Sequence, residues 1–178
     1  MSADLLAIYL SDHLAGATAG SRRMRRLAEA ERDASDAAEL SRVADEIEED
    51  RATLLSMMNS VGVTPQWYKT ALAQVGERAG LLKLNGAVFH RSPLTSVVEL
   101  EAIRMGVIGK HSMWSALRHT DLRTSFDFDD LIQRAERQLQ VIVDAHGRRA
   151  SVVAQRDASG AAQSSGARSN EPSWSSPR

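Results

Sequence analysis

The chain contains no cysteine, which excludes disulfide bonds, thiolate catalysis and zinc sites built on sulfur. It also has no excess of charge of either sign, because 22 lysines and arginines are matched by 23 aspartates and glutamates among its 178 residues. No global positive field therefore exists to gather phosphates, and a general nucleic-acid binder is not expected. The sequence shows neither strand-period segments of useful length nor internal repeats.

Long apolar runs are missing as well. The opening segment, residues 1–16, places Asp4, Asp12 and His13 around a short apolar stretch and carries no basic leader. This stretch is far shorter than the ~20 apolar residues that a membrane-spanning helix needs. We therefore predict that the protein has no membrane span and is cytoplasmic.

What the chain does contain is helical periodicity, since apolar residues recur every three or four positions over four long segments. The predicted long helices cover roughly residues 4–31, 36–61, 92–119 and 125–155. Hydrophobic residues make up 43% of the chain, which is enough to fill the single core expected at this length. We predict an all-α fold, a four-helix bundle formed by residues 1–156.

Three features qualify this pattern. Gly16 and Gly20 interrupt the first helix, each at a cost of about 1 kcal/mol relative to alanine, and we interpret them as sites of close helix packing. An amphipathic piece after Pro65 predicts a short extra helix in the connection between the second and third long helices. Residues 157–178 are rich in Ser, Gly and Pro and are predicted to form a disordered tail.

The third helix is apolar on two sides. One strip contains Leu94, Val97, Val98, Met105 and Ile108, and the other contains Leu100, Ile103, Val107, Trp114 and Leu117. A helix with two apolar sides lies either inside a bundle or at a contact between copies. We predict a homo-oligomer that associates through the strip around Leu100, Val107 and Trp114.

Four titratable residues fall on apolar helix faces: His13, Asp50, Glu101 and His146. At a rise of about 1.5 Å per residue, His13 and Asp50 lie at one level of the bundle, and Glu101 and His146 also share a level. The order in which the helices are connected decides whether these two levels coincide. Imidazole and carboxylate ligands predict a site for iron, manganese or zinc, or a proton-transfer site. The alternative is that these residues form two satisfied ion pairs that have no catalytic or binding activity.

A basic cluster in the first helix, Arg22, Arg23, Arg25 and Arg26, offers another interpretation. Such a cluster is typical of surfaces that grip nucleic acid, an acidic partner or anionic lipid. Glu29, Glu31 and Asp33 follow directly and neutralise it, which favours a solvated helix end.

Several segments carry a resemblance to a known architecture: Tyr9–Gly16, Glu48–Arg51, Leu82–Asn85 and Leu100–Lys110. At these residues the chain resembles the ferritin-like helical bundles, most closely a bacterial group that lacks the usual di-iron ligands. Di-iron members carry two Glu-x-x-His pairs, and none occurs here on the second or fourth helix. The resemblance implies a bundle but no activity. Three hypotheses follow: a non-catalytic self-associating bundle, a metal-binding protein or oxidoreductase with a remodelled site, or a binder of anionic surfaces.

Overall fold

The computed structural model of the protein describes residues 2–31, 33–63 and 93–168. Within these ranges it consists of four long α-helices and one short 3-10 helix, and it contains no strand. The helices are α1 (Ala3–Glu29), α2 (Ala34–Ser60), α3 (Pro93–Leu117) and α4 (Phe128–Arg168), with the 3-10 helix at Asp121–Thr124. The predicted all-α class is confirmed, and the arrangement is consistent with a four-helix bundle.

The ends of α2 show how local chemistry sets a helix boundary. The carboxylate of Asp33 caps the N-terminus by accepting hydrogen bonds from the N–H groups of Ser35 and Asp36, at 3.0 and 3.1 Å. At the other end Gly62 has a φ of 72°, and the next N–H bonds back to the carbonyl of Met58 at 2.9 Å. Glycine adopts this left-handed conformation without steric cost. Gly62 therefore follows the end of α2, and Asp33 is its N-cap.

The last helix, α4, is longer than predicted. It continues to Arg168 instead of ending near Gln155, so it includes the first residues of the predicted tail. Alanine has the highest helix propensity, and this extension contains Ala158, Ala161, Ala162 and Ala167. The end of the predicted tail, residues 169–178, and the extra helix predicted after Pro65 lie outside the described residues.

Two clusters of buried side chains fill the bundle, one toward each end. The first includes Leu10 and Leu14 of α1, Leu54 and Met57 of α2, Trp114 and Leu117 of α3, and Phe128 and Leu131 of α4. The second includes Met24 and Leu27 of α1, Leu40 and Val43 of α2, Leu100 and Ile103 of α3, and Ile142 and Ala145 of α4. Accordingly α1 and α4 run from the first cluster to the second, whereas α2 and α3 run the opposite way. The point where α2 ends and the point where α3 begins are at opposite ends of the bundle.

Each helix packs against two antiparallel neighbours, α1 and α4 both contacting α2 and α3. Among the described residues, none of the helices combines the length and the apolar character that crossing a lipid bilayer requires. The cytoplasmic location stays a prediction.

The third helix buries the strip that was predicted to be a partner surface. Leu100, Val107 and Trp114 are only 1%, 3% and 0% exposed. In the opposite strip Val97 is buried, whereas Leu94, Val98, Met105 and Ile108 are exposed at 54%, 55%, 67% and 44%. The predicted self-association surface around Leu100, Val107 and Trp114 is therefore wrong, because α1 and α4 cover that side of α3.

Candidate functional site

A cavity of about 230 Å³ lies between α1 and α3 and reaches one face of α2. Its apolar wall is formed mainly by Ile47, Leu54, Ile103, Val107, Met113 and Trp114. We call it the α1–α3 cavity. Because an apolar cavity of about 150 Å³ accommodates benzene, this one has room for a six-membered ring and a few further heavy atoms.

Four glycines line the cavity: Gly16 and Gly20 on α1, and Gly106 and Gly109 on α3. Within residues 2–31, 33–63 and 93–168, a Cβ atom placed on any of them meets no heavy atom within 4 Å apart from its own helix and chain neighbours. Gly16 and Gly20 therefore do not serve close helix packing, contrary to the interpretation of the sequence. Each costs about 1 kcal/mol of helix stability relative to alanine, and what it provides is open space.

A buried ionic network borders the same cavity. Asp50 is 1% exposed, and its Oδ2 lies 2.5 Å from Nζ of Lys110. Its Oδ1 lies 2.5 Å from Nη2 of Arg134, an ion pair without the alignment of a hydrogen bond. Gln138 is fully buried; its Oε1 accepts from Lys110 Nζ at 2.5 Å, and its Nε2 donates to Asp50 Oδ2 at 3.2 Å. These four side chains join α2, α3 and α4.

Two glutamates of α2 extend the network toward solvent. The amide of Gln138 also donates to Oε2 of Glu46 at 3.2 Å, and Arg42 donates to the other oxygen of Glu46 at 2.9 Å. Arg134 donates to Glu49 at 3.3 Å. Every carboxylate near the buried centre is thus matched by a cation or an amide, as burial of charge requires.

Lys110 belongs to both the network and the cavity. Its side chain is 12% exposed, and burial lowers the pKa of its amine, although the carboxylate of Asp50 acts in the opposite direction. A lysine ammonium has three N–H donors, and Asp50 and Gln138 accept two of them. In the described part of the chain the third donor has no acceptor.

Sequence reasoning missed Lys110, although a signal for it existed. The buried strip of α3, namely Leu100, Ile103, Val107, Lys110, Trp114 and Leu117, alternates spacings of three and four residues, so Lys110 occupies an inward position. The same spacing places Asp50 among Val43, Ile47, Leu54 and Met57, and Gln138 among Leu131, Ala135, Ile142 and Ala145. Each of the three apolar strips thus contains one polar residue, and this pattern predicts a single buried polar network.

His13 lines the cavity from the α1 side, next to Asp12. Its ring packs edge-on against Tyr9, with the ring centroids 4.6 Å apart. Burial lowers the pKa of His13, and the nearby Asp12 carboxylate opposes that shift. The imidazole is therefore neutral at pH 7, with one donor and one acceptor nitrogen. Among the described residues it makes no hydrogen bond or ion pair.

The four predicted metal ligands form two separate pairs. His13 and Asp50 line the α1–α3 cavity, whereas Oε1 of Glu101 lies 3.2 Å from Nε2 of His146. Glu101 is nine positions from Lys110 on α3, or roughly 13 Å along the helix. Over residues 2–31, 33–63 and 93–168, no three His, Asp or Glu side chains are grouped to hold a metal ion. The iron, manganese or zinc site stays a prediction, and Asp50 is already engaged by two cations.

The basic cluster of α1 lies at the surface, and one of its arginines is in an ion pair with α2. Arg22, Arg23 and Arg26 are exposed, whereas Arg25 forms an ion pair with Asp45 at 2.7 Å. One of the four charges is thus paired at the surface, and the binding of anionic surfaces stays a prediction.

Comparison with known proteins adds no further indication of function. No family model, curated protein or solved structure was found to match the chain.

Replacing Gly16 or Gly106 by alanine is expected to raise the free energy of unfolding by about 1 kcal/mol, because alanine favours the helix and its Cβ meets open space. Urea denaturation of each variant measures the change. Gly62→Ala is the matched control and should destabilise the protein, since Gly62 has a φ of 72°. A loss of stability in Gly16→Ala or Gly106→Ala would show that these glycines serve close packing after all.

Proposed function

We propose that the protein is a non-catalytic helical bundle that binds a small, mainly apolar molecule in the α1–α3 cavity. The observation that carries this proposal is the set of four helix glycines that leave the cavity open. Each costs helix stability, and alanine would fit at each position, so the open space is the feature with functional value. The titratable groups of the network are engaged with one another, which favours binding over chemistry.

The volume and lining of the cavity limit the ligand to a small molecule. Natural ligand sites span about 300–1,000 Å³, so a cavity of about 230 Å³ lies just below that range. Burial of one CH₂-sized group contributes about 0.8 kcal/mol, so a seven-carbon molecule such as toluene gains roughly 5 kcal/mol. This gain is of the order needed for millimolar binding, which corresponds to about 4 kcal/mol.

Toluene is expected to raise the melting temperature and to shift the amide resonances of residues that line the α1–α3 cavity. In Gly109→Leu the new side chain occupies the cavity, so binding should be lost, as thermal denaturation and NMR titration will show. Gly147→Leu is the matched control, because Gly147 lies on α4 away from the cavity and also has open space at its Cβ position. Toluene binding that survives in Gly109→Leu would rule out this cavity as the site.

We also propose that the architecture is ferritin-like. The helix directions support it, since α1 and α4 run one way and α2 and α3 run the other. Ferritin-like bundles contain one long crossover connection, and α2 here ends at the opposite end of the bundle from the start of α3. Iron oxidation is not part of the proposal, because the Glu-x-x-His pairs of di-iron proteins are missing from α2 and α4.

Self-association is a second candidate function, favoured by the exposed α3 strip, which consists of Leu94, Val98, Met105 and Ile108. We propose that a second copy packs antiparallel on this strip. With a two-fold axis at the level of residue 103, on the exposed side of α3, Val98 of one copy faces Ile108 of the other. In the same register Glu101 of one copy faces Met105 of the other.

The double variant Val98→Asp/Ile108→Asp is expected to be monomeric at concentrations where the unchanged protein is a dimer, because it places carboxylates inside the contact. Sedimentation equilibrium over a range of concentrations measures the difference. Val152→Asp is the control, since Val152 is 42% exposed on α4, outside the strip. An unchanged protein that stays monomeric at every concentration would refute the proposed contact.

A further inference from the structure

The α1–α3 cavity is elongated along the helix axes. The residues that line it fall within positions 12–20 of α1, 47–54 of α2 and 103–114 of α3. At a rise of about 1.5 Å per residue, these spans are roughly 12, 10 and 16 Å long, which is about two to three helical turns on each helix. The cavity is therefore longer than a single six-membered ring.

The width of the cavity follows from its volume and its length. A volume of about 230 Å³ that extends over roughly 12 Å leaves a mean cross-section of about 20 Å². Carbon atoms in contact lie about 4.0–4.5 Å apart, so one hydrocarbon chain needs a cross-section of about 16–20 Å². The cavity is thus about as wide as one such chain.

The placement of the glycines accounts for this shape. Gly16 and Gly20 are four positions apart on α1, and Gly106 and Gly109 are three positions apart on α3, so each pair lies on one face of its helix. Each pair leaves a row of missing side chains parallel to the helix axis. One missing side chain would leave a compact hole, whereas two such rows on neighbouring helices leave a groove.

The groove has an apolar floor and a mouth that opens to solvent. On the floor Ile47, Leu54 and Val107 are 6%, 1% and 3% exposed. Gly16 and Gly106 line the cavity too, and both are exposed. A chain that lies in the groove can therefore bury its methylene groups against the floor, while a polar group at its end reaches water through the mouth.

We propose that the ligand of the α1–α3 cavity is an unbranched hydrocarbon chain of about eight or nine carbons that lies parallel to α1 and α3. This inference rests on the proposed binding of a small molecule. A cavity of about 150 Å³ holds the six carbons of benzene, so one of about 230 Å³ holds roughly nine. Carbon–carbon bonds of about 1.5 Å advance an extended chain by about 1.3 Å each, so nine carbons span about 10 Å. The volume and the length of the cavity thus indicate the same ligand.

A compact ligand with the same number of carbons fits less well. A single ring occupies about half of the length and leaves the rest empty, and empty space forfeits dispersion contacts. A larger ring is wider than one chain, so it requires α1 and α3 to move apart. Rings such as toluene still bind, but an unbranched chain that fills the whole length binds more tightly.

A series of linear alcohols on the full chain tests the inferred shape. From 1-pentanol to 1-octanol the dissociation constant is expected to fall about fourfold per methylene, because each buried methylene contributes about 0.8 kcal/mol. The gain should stop near nine carbons, so that 1-decanol binds no more tightly than 1-nonanol. Cyclooctanol has the eight carbons of 1-octanol in a compact shape and should bind at least tenfold more weakly, after allowance for their different partition from water. NMR titration, followed at the amides of the lining residues, gives the dissociation constants.

The variant Gly20→Val tests whether the cavity sets the length of the chain. Gly20 is the last lining residue of α1, and a valine there occupies the space of about three carbons at one end of the groove. Binding of 1-octanol should weaken roughly tenfold, whereas binding of 1-hexanol should change by less than about twofold. Ala19→Val is the matched control, because Ala19 is exposed on the same helix and does not line the cavity. If Gly20→Val does not fold, the alcohol series on the unchanged protein still decides the question.

The outcomes separate this inference from the proposed function. If neither toluene, cyclooctanol nor any linear alcohol binds, the proposed small-molecule binding fails. If toluene or cyclooctanol binds at least as tightly as 1-octanol, the cavity binds ligands but the inferred chain is wrong. A gain in affinity that continues through 1-decanol, or an equal loss of 1-hexanol and 1-octanol binding in Gly20→Val, would equally overturn the inferred length.

Discussion

A carboxylate that is 1% exposed cannot stay ionised inside a helical bundle unless cations lie beside it, and this constraint organises the centre of the protein. Asp50 of α2 meets Lys110 of α3 and Arg134 of α4, and Gln138 closes the network between them. Apolar contacts can slide along a helix at small cost, but a buried ion pair tolerates little displacement. The network therefore fixes the register of three helices and holds Lys110 in place at the cavity wall.

The remaining helix, α1, supplies none of these charges, and its glycines face α3 across open space. Two kinds of interface thus coexist in one bundle. The interfaces among α2, α3 and α4 contain a buried polar network, whereas four glycines line the space between α1 and α3. Such concentrated departures from good packing are typical of functional sites, where stability is given up for binding.

The sequence predicted the four long helices because apolar periodicity is a local signal, although α4 extends beyond its predicted end. It did not reveal which apolar strip of α3 faces inward, since Leu100 and Leu94 begin strips of similar hydrophobicity, and only the packing of α1 and α4 separates them. His13 and Asp50 were identified as polar groups on apolar faces, but Lys110 was not. The cavity itself could not be predicted, because Gly16 and Gly106 create space only once α1 and α3 are neighbours, and the connectivity decides that.

The claim that a buried network around Asp50 fixes the bundle is tested most directly by the stability of Asp50→Ala, measured by urea denaturation against Asp12→Ala. Both aspartates line the α1–α3 cavity, but Asp12 is exposed and Asp50 is not. Loss of Asp50 leaves Lys110 without a carboxylate partner and Arg134 with only the exposed Glu49, and should lower the free energy of unfolding by about 3–5 kcal/mol, whereas loss of Asp12 should change it by less than about 0.5 kcal/mol. Equal, small effects of the two substitutions would contradict the claim.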